Sequence, residues 1–262
     1  MGIVNVTPDS FSDGGRRFDP DRAIADALQM VADGADVLDI GGESTRPGAS
    51  PVDADEEWRR VGPVLDGLRG RVAVPVSIDT YKASVATRAL QAGATIVNDI
   101  SGLTFDPDLR AVVARADAAV VIMHTRGRPE AMYAEADYAD VIVEVMAELD
   151  QRRRAAESAG IARERIIFDP GFGFAKRGPQ SIELLAGLSR LHGLGGPILS
   201  GPSRKSFLSV TPGDAAPAGR LWSTAAAVTA SILAGAHLVR VHDVLEMGQV
   251  ARTADAILDK AR

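Results

Sequence analysis

Short runs of apolar, often β-branched residues alternate with longer segments of helical periodicity along the whole chain. The runs have the length and composition of strands that are buried on both faces of a parallel sheet. They cover residues 3–6, 36–40, 72–78, 95–98, 118–123, 165–168, 197–199 and 238–241. Eight βα units of similar size favour a closed (β/α)8 barrel, the TIM barrel of the α/β class, over an open doubly wound sheet.

The segments between the strands carry the signals of helix ends. Asp19 and Pro20 supply an N-cap and a first-turn proline for the first helix, and Gly34 is placed to end it. The longest helix is predicted from residue 137 to residue 160, where apolar residues recur at helical spacing. These signals support the alternation of strands and helices that the barrel requires.

Composition narrows the class of protein. A chain of 262 residues, 46% of them hydrophobic, can build one large core, so we expect a single domain over residues 1–262. A net charge of −6 argues against nucleic-acid binding, and no apolar run is long enough to cross a membrane. The chain has no cysteine and its first residues do not form a signal peptide, so we expect a cytoplasmic protein.

Polar residues cluster where the predicted strands end. They are Asn5, Glu43, Asp79, Asn98, His124, Asp169, Lys205 and His242. The carboxyl ends of the strands form the rim on which (β/α)8 barrels build their active sites. Any one of these residues has a simpler explanation as a helix cap, but eight of them together favour a site.

Two loops at this rim are candidates for substrate contacts. Residues 5–15 follow the first strand, and the oxygens of Asn5 and of the aspartates in this loop suit Mg²⁺. Residues 39–48 contain two adjacent glycines and Arg46, which can lean over a neighbouring site. An ordinary turn-rich loop and a βα turn with a solvated arginine remain the alternatives.

Several strand ends combine burial with charge. Asp79, Asn98 and Asp169 each follow an apolar strand, and burying them together is costly unless a polar ligand satisfies them. Lys205 is open to three interpretations: a Schiff-base lysine, a surface lysine or a donor to an oxo group. Arg240 and His242 alternate onto one face and suggest an anion, although an Arg–Asp pair tying strand to helix is the simpler alternative.

Five stretches match one known family in order and spacing over nearly the whole chain. They are NVTPDSFSDGG from Asn5, DIGGESTRPG from Asp39, the Asp79 and Asn98 strand ends, FDPGFGF around Asp169 with SRKS at Lys205, and RVHD from Arg240. The chain thereby resembles the dihydropteroate synthases. Its departures are a missing segment before the first strand, a more basic version of the stretch after Met123, and Pro202 in place of a small aliphatic residue.

The resemblance implies an activity and a set of residues. It implies that the enzyme joins 6-hydroxymethyl-7,8-dihydropterin pyrophosphate to p-aminobenzoate, with Mg²⁺ held partly by Asn5. Catalytic roles fall to Asn5, Asp13, Lys205, Arg240 and His242. Substrate contacts fall to Thr45, Arg46, Pro47, Asp79, Asn98, Ile100, Met123, Asp169, Phe174, Lys205, Ser206, Arg240 and His242. Within this set Asp169 anchors the pterin edge, Ser206 opens a helix that faces the carboxylate of p-aminobenzoate, and Arg240 and His242 face the pyrophosphate.

Two other functions remain open at this stage. A pterin-dependent methyltransferase shares the pterin edge contacts but needs neither the Mg²⁺ loop nor residues 203–206. A non-catalytic homologue would keep the pterin pocket and have lost turnover. If the chain is a synthase, the resemblance also implies ordinary sulfonamide sensitivity, since residues 44–48 carry no insertion, and a homodimer formed through the later helices, including residues 222–233.

Overall fold

The computed structural model describes residues 1–7, 19–46, 48–210 and 216–261. Six strands in these ranges form one parallel sheet in chain order: β1 (Gly2–Asn5), β2 (Leu38–Gly41), β3 (Val76–Asp79), β4 (Ile96–Asp99), β5 (Ala119–Met123) and β6 (Ile166–Asp169). Two shorter strands, β7 (Leu199–Ser200) and β8 (Leu238–Val239), pair with each other in parallel.

Two isolated parallel bridges join these sheets into a ring. Phe168 of β6 bridges to Ile198 just before β7, and Gly2 of β1 bridges to Val241 just after β8. The Val241 amide donates to the carbonyl oxygen of Met1 at 3.0 Å. All eight strands therefore lie in one closed parallel barrel, and the predicted (β/α)8 fold is confirmed.

Each strand is followed by a helix that packs on the outside of the barrel. These are α1 (Pro20–Ala32), α2 (Ala54–Leu68), α3 (Ala83–Gln91), α4 (Leu109–Ala116), α5 (Val141–Ser158), α6 (Gly178–Ala186), α7 (Leu221–Leu233) and α8 (Val244–Ala261). Asp19 caps α1 by accepting hydrogen bonds from the amides of Asp21 and Arg22, and Gly34 follows its end with φ of +100°. The predicted cap and stop of this helix are confirmed.

Two predicted boundaries are wrong by a few residues. The helix expected from residue 137 to residue 160 begins at Val141, because Asp140 accepts hydrogen bonds from the amides of Ile142 and Val143 and so acts as its N-cap. The strand expected from residue 72 begins at Val76. Pro75 lacks an amide hydrogen and cannot donate to a neighbouring strand.

Strand alternation separates an outer apolar layer from a mixed interior. Outward side chains such as Leu38, Ile78 and Val97 join the main core between the strands and the helices. A separate cluster contains Ile96 and Val121 with residues of β6, β7 and β8, and it fills the lower interior of the barrel. The inward positions nearer the carboxyl ends are polar, so the site lies above an apolar floor. No helix among the described residues is long and apolar enough to cross a membrane.

Candidate active site

Four predicted residues meet inside the barrel because they occupy inward positions at neighbouring strand ends. The strand register pairs Asp79 with Asn98 and Met123 with Asp169. Asn98, Met123 and Asp169 are each at most 5% exposed, and the side chain of Asp79 is largely buried. Residues that are far apart in the chain thus line one side of a common cavity at the open end.

An ion-pair network inside the barrel joins two of these residues, Asp79 and Asn98, to Asp39 and Arg240. The guanidinium group of Arg240 donates from Nε to Asp39 Oδ2 and from Nη2 to Asp79 Oδ2, both at 2.6 Å. Asn98 Nδ2 also donates to Asp39 Oδ2, at 2.9 Å. Arg240 therefore pairs with aspartates of the barrel wall, not with a helix. Two carboxylates hold its planar group in one orientation.

Asp39 is the residue of this network that sequence reasoning missed. It is fully buried in the middle of β2, and its second carboxylate oxygen, Oδ1, has no hydrogen-bond partner. The available signal was a charged residue between two apolar ones in a strand that is otherwise buried. Such a residue needs a cationic partner, which the sequence did not identify.

Burial changes the proton affinity of the groups in this cavity. It raises the pKa of Asp79 to about 7, although Arg240 opposes the change. Burial also raises the pKa of Asp169, with Lys205 acting against it. The pKa of the Lys205 ammonium group falls to about 8, again chiefly through burial. These shifts are typical of groups placed together in a functional cavity.

Lys205 lies against the loop that follows β6. Its Nζ donates to the carbonyl oxygen of Phe172 at 2.6 Å and lies 4.7 Å from the ring centroid of Phe174. The side chain of Lys205 is partly buried and lies near other predicted site residues. Lys205 is therefore not a surface lysine. Its ammonium group is close enough to Asp169 for the carboxylate to oppose the effect of burial on the pKa of Lys205.

The helix predicted to begin at Ser206 is not an α-helix. Residues Ser206–Leu208 form a single 3₁₀ turn, and α7 begins only at Leu221. A three-residue turn has almost no macrodipole, so the predicted helix start is wrong, whereas the contact of Ser206 with the carboxylate of p-aminobenzoate stays a prediction. Ser206 itself is exposed at the rim of the barrel, where its hydroxyl group is accessible.

Of the two residues predicted to face an anion, Arg240 carries a charge and His242 is neutral in this environment. Burial lowers the pKa of His242 to about 3, helped by Arg204 and Arg240. Ser203 Oγ accepts from the His242 amide at 3.1 Å and lies 3.0 Å from His242 Nδ1. These two contacts hold the imidazole ring in one orientation at the end of the last strand.

Apolar side chains form one wall of the cavity. Ile100, Met123 and Phe174, all predicted as substrate contacts, belong to one cluster with Tyr81 and Phe105. The rings of Tyr81 and Phe105 meet edge to face, with centroids 5.5 Å apart. The two aromatic residues were not predicted, because they lie in loops where no periodicity marks them as inward-facing.

The second predicted loop is tied to the barrel at its base. Glu43 accepts from the Tyr81 hydroxyl at 2.7 Å and forms an ion pair with Lys82, which also pairs with Glu57. Further along the loop, Thr45 is partly exposed and Arg46 is exposed, close enough to His242 to affect its pKa. The predicted residues Asp13 and Pro47 lie outside the described residues.

The described residues contain no cluster of three or more His, Asp or Glu that could hold a metal ion. Asn5, the last residue of β1, lies at the same end of the barrel and is only partly buried. Mg²⁺ commonly keeps several waters and takes one or two protein ligands together with substrate phosphates. A single amide oxygen at the rim fits that mode of binding and does not fit a dedicated protein cage.

Comparison with known proteins agrees with this geometry. A family model described as pterin binding enzyme matches residues 1–242. A dihydropteroate synthase from Synechocystis is 48% identical over 98% of this chain and 89% of its own length.

Two solved structures are also similar over nearly all of both chains. A Xanthomonas albilineans dihydropteroate synthase with 4-aminobenzoic acid has a TM-score of 0.92 at 44% identity, covering 98% of this chain and 92% of its own. A Yersinia pestis enzyme in a sulfonamide drug complex has a TM-score of 0.94 at 39% identity, covering 99% and 94%. This chain belongs to the pterin-binding enzyme family and, within it, to the dihydropteroate synthases.

Proposed function

We propose that the protein condenses 6-hydroxymethyl-7,8-dihydropterin pyrophosphate with p-aminobenzoate to give 7,8-dihydropteroate and pyrophosphate. The proposal rests on one observation about the positions of the site residues. Asp79, Asn98, Asp169 and Lys205 lie together with the paired guanidinium group of Arg240 inside the open end of the barrel, where they are buried or partly buried. Polar groups at such a density need a polar ligand, and the edge of a pterin offers matching donors and acceptors.

The pterin ring is held by complementary hydrogen bonds. One oxygen of Asp169 already accepts from the Gly171 amide at 2.7 Å, which orients the carboxylate. Each oxygen keeps a free lone pair, so the carboxylate can accept from the ring N3–H and the 2-amino group together. Asn98 can both donate and accept, and the Lys205 ammonium group can donate to the 4-oxo group. The flat guanidinium group of Arg240 is suited to stack on the bicyclic ring.

Catalysis follows from stabilising charge as the pyrophosphate leaves. The C–O bond between the pterin methylene and the pyrophosphate breaks, and the positive charge that develops is delocalised into the ring. Arg240, by its charge, and His242, by hydrogen bonding, stabilise the departing anion. The amine of p-aminobenzoate then forms the new C–N bond and loses a proton to solvent. The side chains are held in place before the ligand arrives, so electrostatic preorganisation is the main contribution.

Magnesium is the expected metal at this site. Asn5 would supply the protein ligand, with the phosphates of the substrate supplying others. When bound, Mg²⁺ would neutralise the charge of the leaving pyrophosphate. We expect a chelator to abolish turnover and added Mg²⁺ to restore it, whereas an Asn5→Ala variant should need more Mg²⁺ for half-maximal activity.

The amine end of the site is more open than the pterin end. Thr45, Arg46 and Ser206 lie at the rim with partial or full exposure. Arg46 is the cation in this group and is suited to the carboxylate of p-aminobenzoate. Since sulfonamides imitate that substrate, we expect them to compete with it in this protein.

The assay separates this function from its rivals. Purified protein, dihydropterin pyrophosphate, Mg²⁺ and p-aminobenzoate should give pyrophosphate and dihydropteroate in equal amounts. Asp169→Ala and Lys205→Ala should lose turnover, and Lys260→Ala, at an exposed position of α8, should not. Pterin binding without pyrophosphate release would identify a non-catalytic homologue. Methyl transfer from a pterin to a corrinoid would identify the methyltransferase.

A second copy of the chain is the partner we propose for the α7–α8 face. Trp222 is 80% exposed on α7, and Ile257 is 56% exposed on α8. Between the two helices lies a cavity of 340 Å³ with a mostly apolar lining. Trp222, Ala225, Thr229 and Leu233 recur at helical spacing and form a continuous stripe along α7. We place this homodimer in the cytoplasm, in keeping with the absence of cysteine.

A further inference from the structure

A lysine that the sequence analysis did not single out lies buried behind the pterin end of the site. Lys176 follows the loop after β6, yet only 1% of its surface is exposed. Lysine is almost never fully buried unless its ammonium group is paired, because removing a charge from water is costly. The reaction described above makes no use of this residue, so its burial needs another explanation.

The ammonium group of Lys176 joins two segments of the barrel rim. Its Nζ donates to the carbonyl oxygens of Phe174 at 2.9 Å and Gly171 at 3.1 Å, both in the loop after β6. Nζ also lies 3.2 Å from the carbonyl oxygen of His124 and 2.8 Å from His124 Nδ1, at the end of β5, so its N–H groups are shared among four acceptors. Burial lowers the pKa of Lys176 well below its usual value, and the carboxylate of Asp169 opposes that shift. One buried amino group therefore connects both ends of the loop to the neighbouring strand.

His124 is held in the tautomer that this contact needs. Its Nε2 lies 3.0 Å from Glu148 Oε2, and Glu148 also accepts from Arg126 Nε at 2.9 Å. Hydrogen bonds and charges from His124 and Arg126 outweigh burial and keep the pKa of Glu148 at about 2, so it only accepts. Nε2 must therefore carry the ring proton, and Nδ1 is the acceptor for Lys176.

The loop that Lys176 holds carries much of the pterin end of the site. The Gly171 amide donates to Asp169 Oδ1, and the Phe172 carbonyl oxygen accepts from Lys205 Nζ. The Phe174 ring lies beside the same ammonium group of Lys205. Gly171 has φ of +69°, and a Cβ atom at this position would lie 2.0 Å from the carbonyl oxygen of His124. The backbone at Gly171 therefore lies directly against the chain at the end of β5, where Lys176 also binds.

We propose that Lys176 is a positioning residue for the pterin half of the reaction: its ammonium group fixes the loop of residues 170–175 and so sets the positions of Asp169, Phe174 and Lys205. The inference rests on the proposed function for the identity of the ligand. The contacts of Lys176 with the loop and with His124, by contrast, involve protein atoms alone. A test can therefore address the loop and the ligand separately.

The first experiment removes the ammonium group. Lys176→Ala should weaken binding of dihydropterin pyrophosphate, measured calorimetrically with Mg²⁺, by roughly 10- to 100-fold, the effect expected when hydrogen bonds to a charged group are lost. The KM for p-aminobenzoate at saturating pterin substrate should stay unchanged. Hydrogen exchange of the ligand-free protein should become faster at residues 171–174. Lys260→Ala is the control for loss of a lysine.

Chemical rescue distinguishes positioning from general damage. The Lys176→Ala change removes three carbons and the ammonium group, which are the heavy atoms of n-propylammonium. This cation should restore pterin affinity and slow the exchange of the loop. Tetramethylammonium has the same charge but no N–H donor, so it should do neither.

Two variants of His124 test the proposal if Lys176→Ala does not fold. His124→Asn places an amide oxygen close to the position of Nδ1 and should keep pterin affinity. His124→Leu removes the acceptor and should lose it. The proposal is overturned if Lys176→Ala binds the pterin substrate as tightly as the parent protein or shows unchanged hydrogen exchange in the loop. It is also overturned if Lys176→Ala weakens the binding of both substrates equally, or if the two His124 variants bind the pterin substrate equally well. Absence of pyrophosphate release from the parent protein would instead overturn the proposed function and leave the exchange test intact.

Discussion

In most folded proteins charged residues are exposed and large apolar residues are buried. The open end of the barrel and the α7–α8 face are both exceptions, in opposite ways. The barrel end buries charged residues, among them Asp39 and Asp169, and largely encloses Arg240, whereas the α7–α8 face exposes Trp222 and Ile257. Buried polar groups and exposed apolar patches are the informative exceptions in a folded protein. Each region therefore indicates a partner: a polar, partly anionic small molecule for the first, and an apolar protein surface for the second.

The two regions also differ in how they are assembled. Asp39 and Arg240 are separated by 201 positions in the chain, and they meet because the strands close into a barrel. The apolar stripe on α7 comes from one helix, whose own periodicity brings its members together. The comparison teaches that the chemistry of this protein depends on distant contacts, whereas its proposed association surface depends on local ones.

The largest expected effect is the loss of the interior carboxylate. Asp39→Ala removes one of the two carboxylates that pair with Arg240 and the acceptor of Asn98 Nδ2, and breaking a buried ion pair costs about 3–5 kcal/mol. Urea denaturation should show that decrease in the free energy of unfolding, together with a loss of turnover. Asp39→Asn, which keeps the shape and one oxygen acceptor, should lose less. If the free energy of unfolding fell by less than about 1 kcal/mol, the change would be close to that of an ordinary surface substitution. The two regions would then not differ in how much they depend on distant contacts.

The second effect concerns the exposed apolar face. Trp222→Lys places a charge in the proposed dimer contact and should weaken association by about 2 kcal/mol or more, as expected for a central aromatic residue of an interface. Sedimentation equilibrium measures this change. Val143→Lys is the matched control, because Val143 is an exposed apolar residue on α5, away from this face. A monomeric parent protein at high concentration would contradict the proposed partner.

The third effect is a pH dependence that arises at the barrel end. The pKa of His242 is lowered to about 3, so the unfolded chain binds a proton below about pH 6.5 that the folded protein does not. Stability from this group is present above pH 6.5 and is lost as the pH falls towards 3. Relative to His242→Asn, the parent should lose up to about 1.4 kcal/mol per pH unit in this range. Denaturation at several pH values checks the slope, and parallel curves would show that His242 is not held neutral.

The smallest effect is expected for an exposed ion pair. Arg165 and Asp117 pair at 2.7 Å, but their side chains are 45% and 71% exposed. Arg165→Ala should change the free energy of unfolding by less than about 1 kcal/mol, because solvent and salt screen such pairs. Compared with Asp39→Ala, this variant isolates the contribution of burial. A loss as large as that of Asp39→Ala would show that burial is not the cause.

Sequence patterns located all eight strands and the polar residues at their ends, since both depend on local signals. Strand ends in a parallel barrel meet at one rim, so Asp79, Asn98 and Asp169 could be placed together without coordinates. Other predictions failed where the local signal was incomplete. Ser206 follows a strand as a helix start would, but the chain makes only one 3₁₀ turn there.

What the sequence determined by itself was the order of strands and helices, the barrel class, the family resemblance and the list of candidate residues. Periodicity, caps and motif spacing are properties of neighbouring residues and can be recognised in one dimension. Only the tertiary structure decided that Asp39 holds Arg240, that Lys176 lies buried behind the loop after β6, and that His242 is neutral. The reason is physical: desolvation and ion pairing depend on distances between residues far apart in the chain, and folding alone sets those distances.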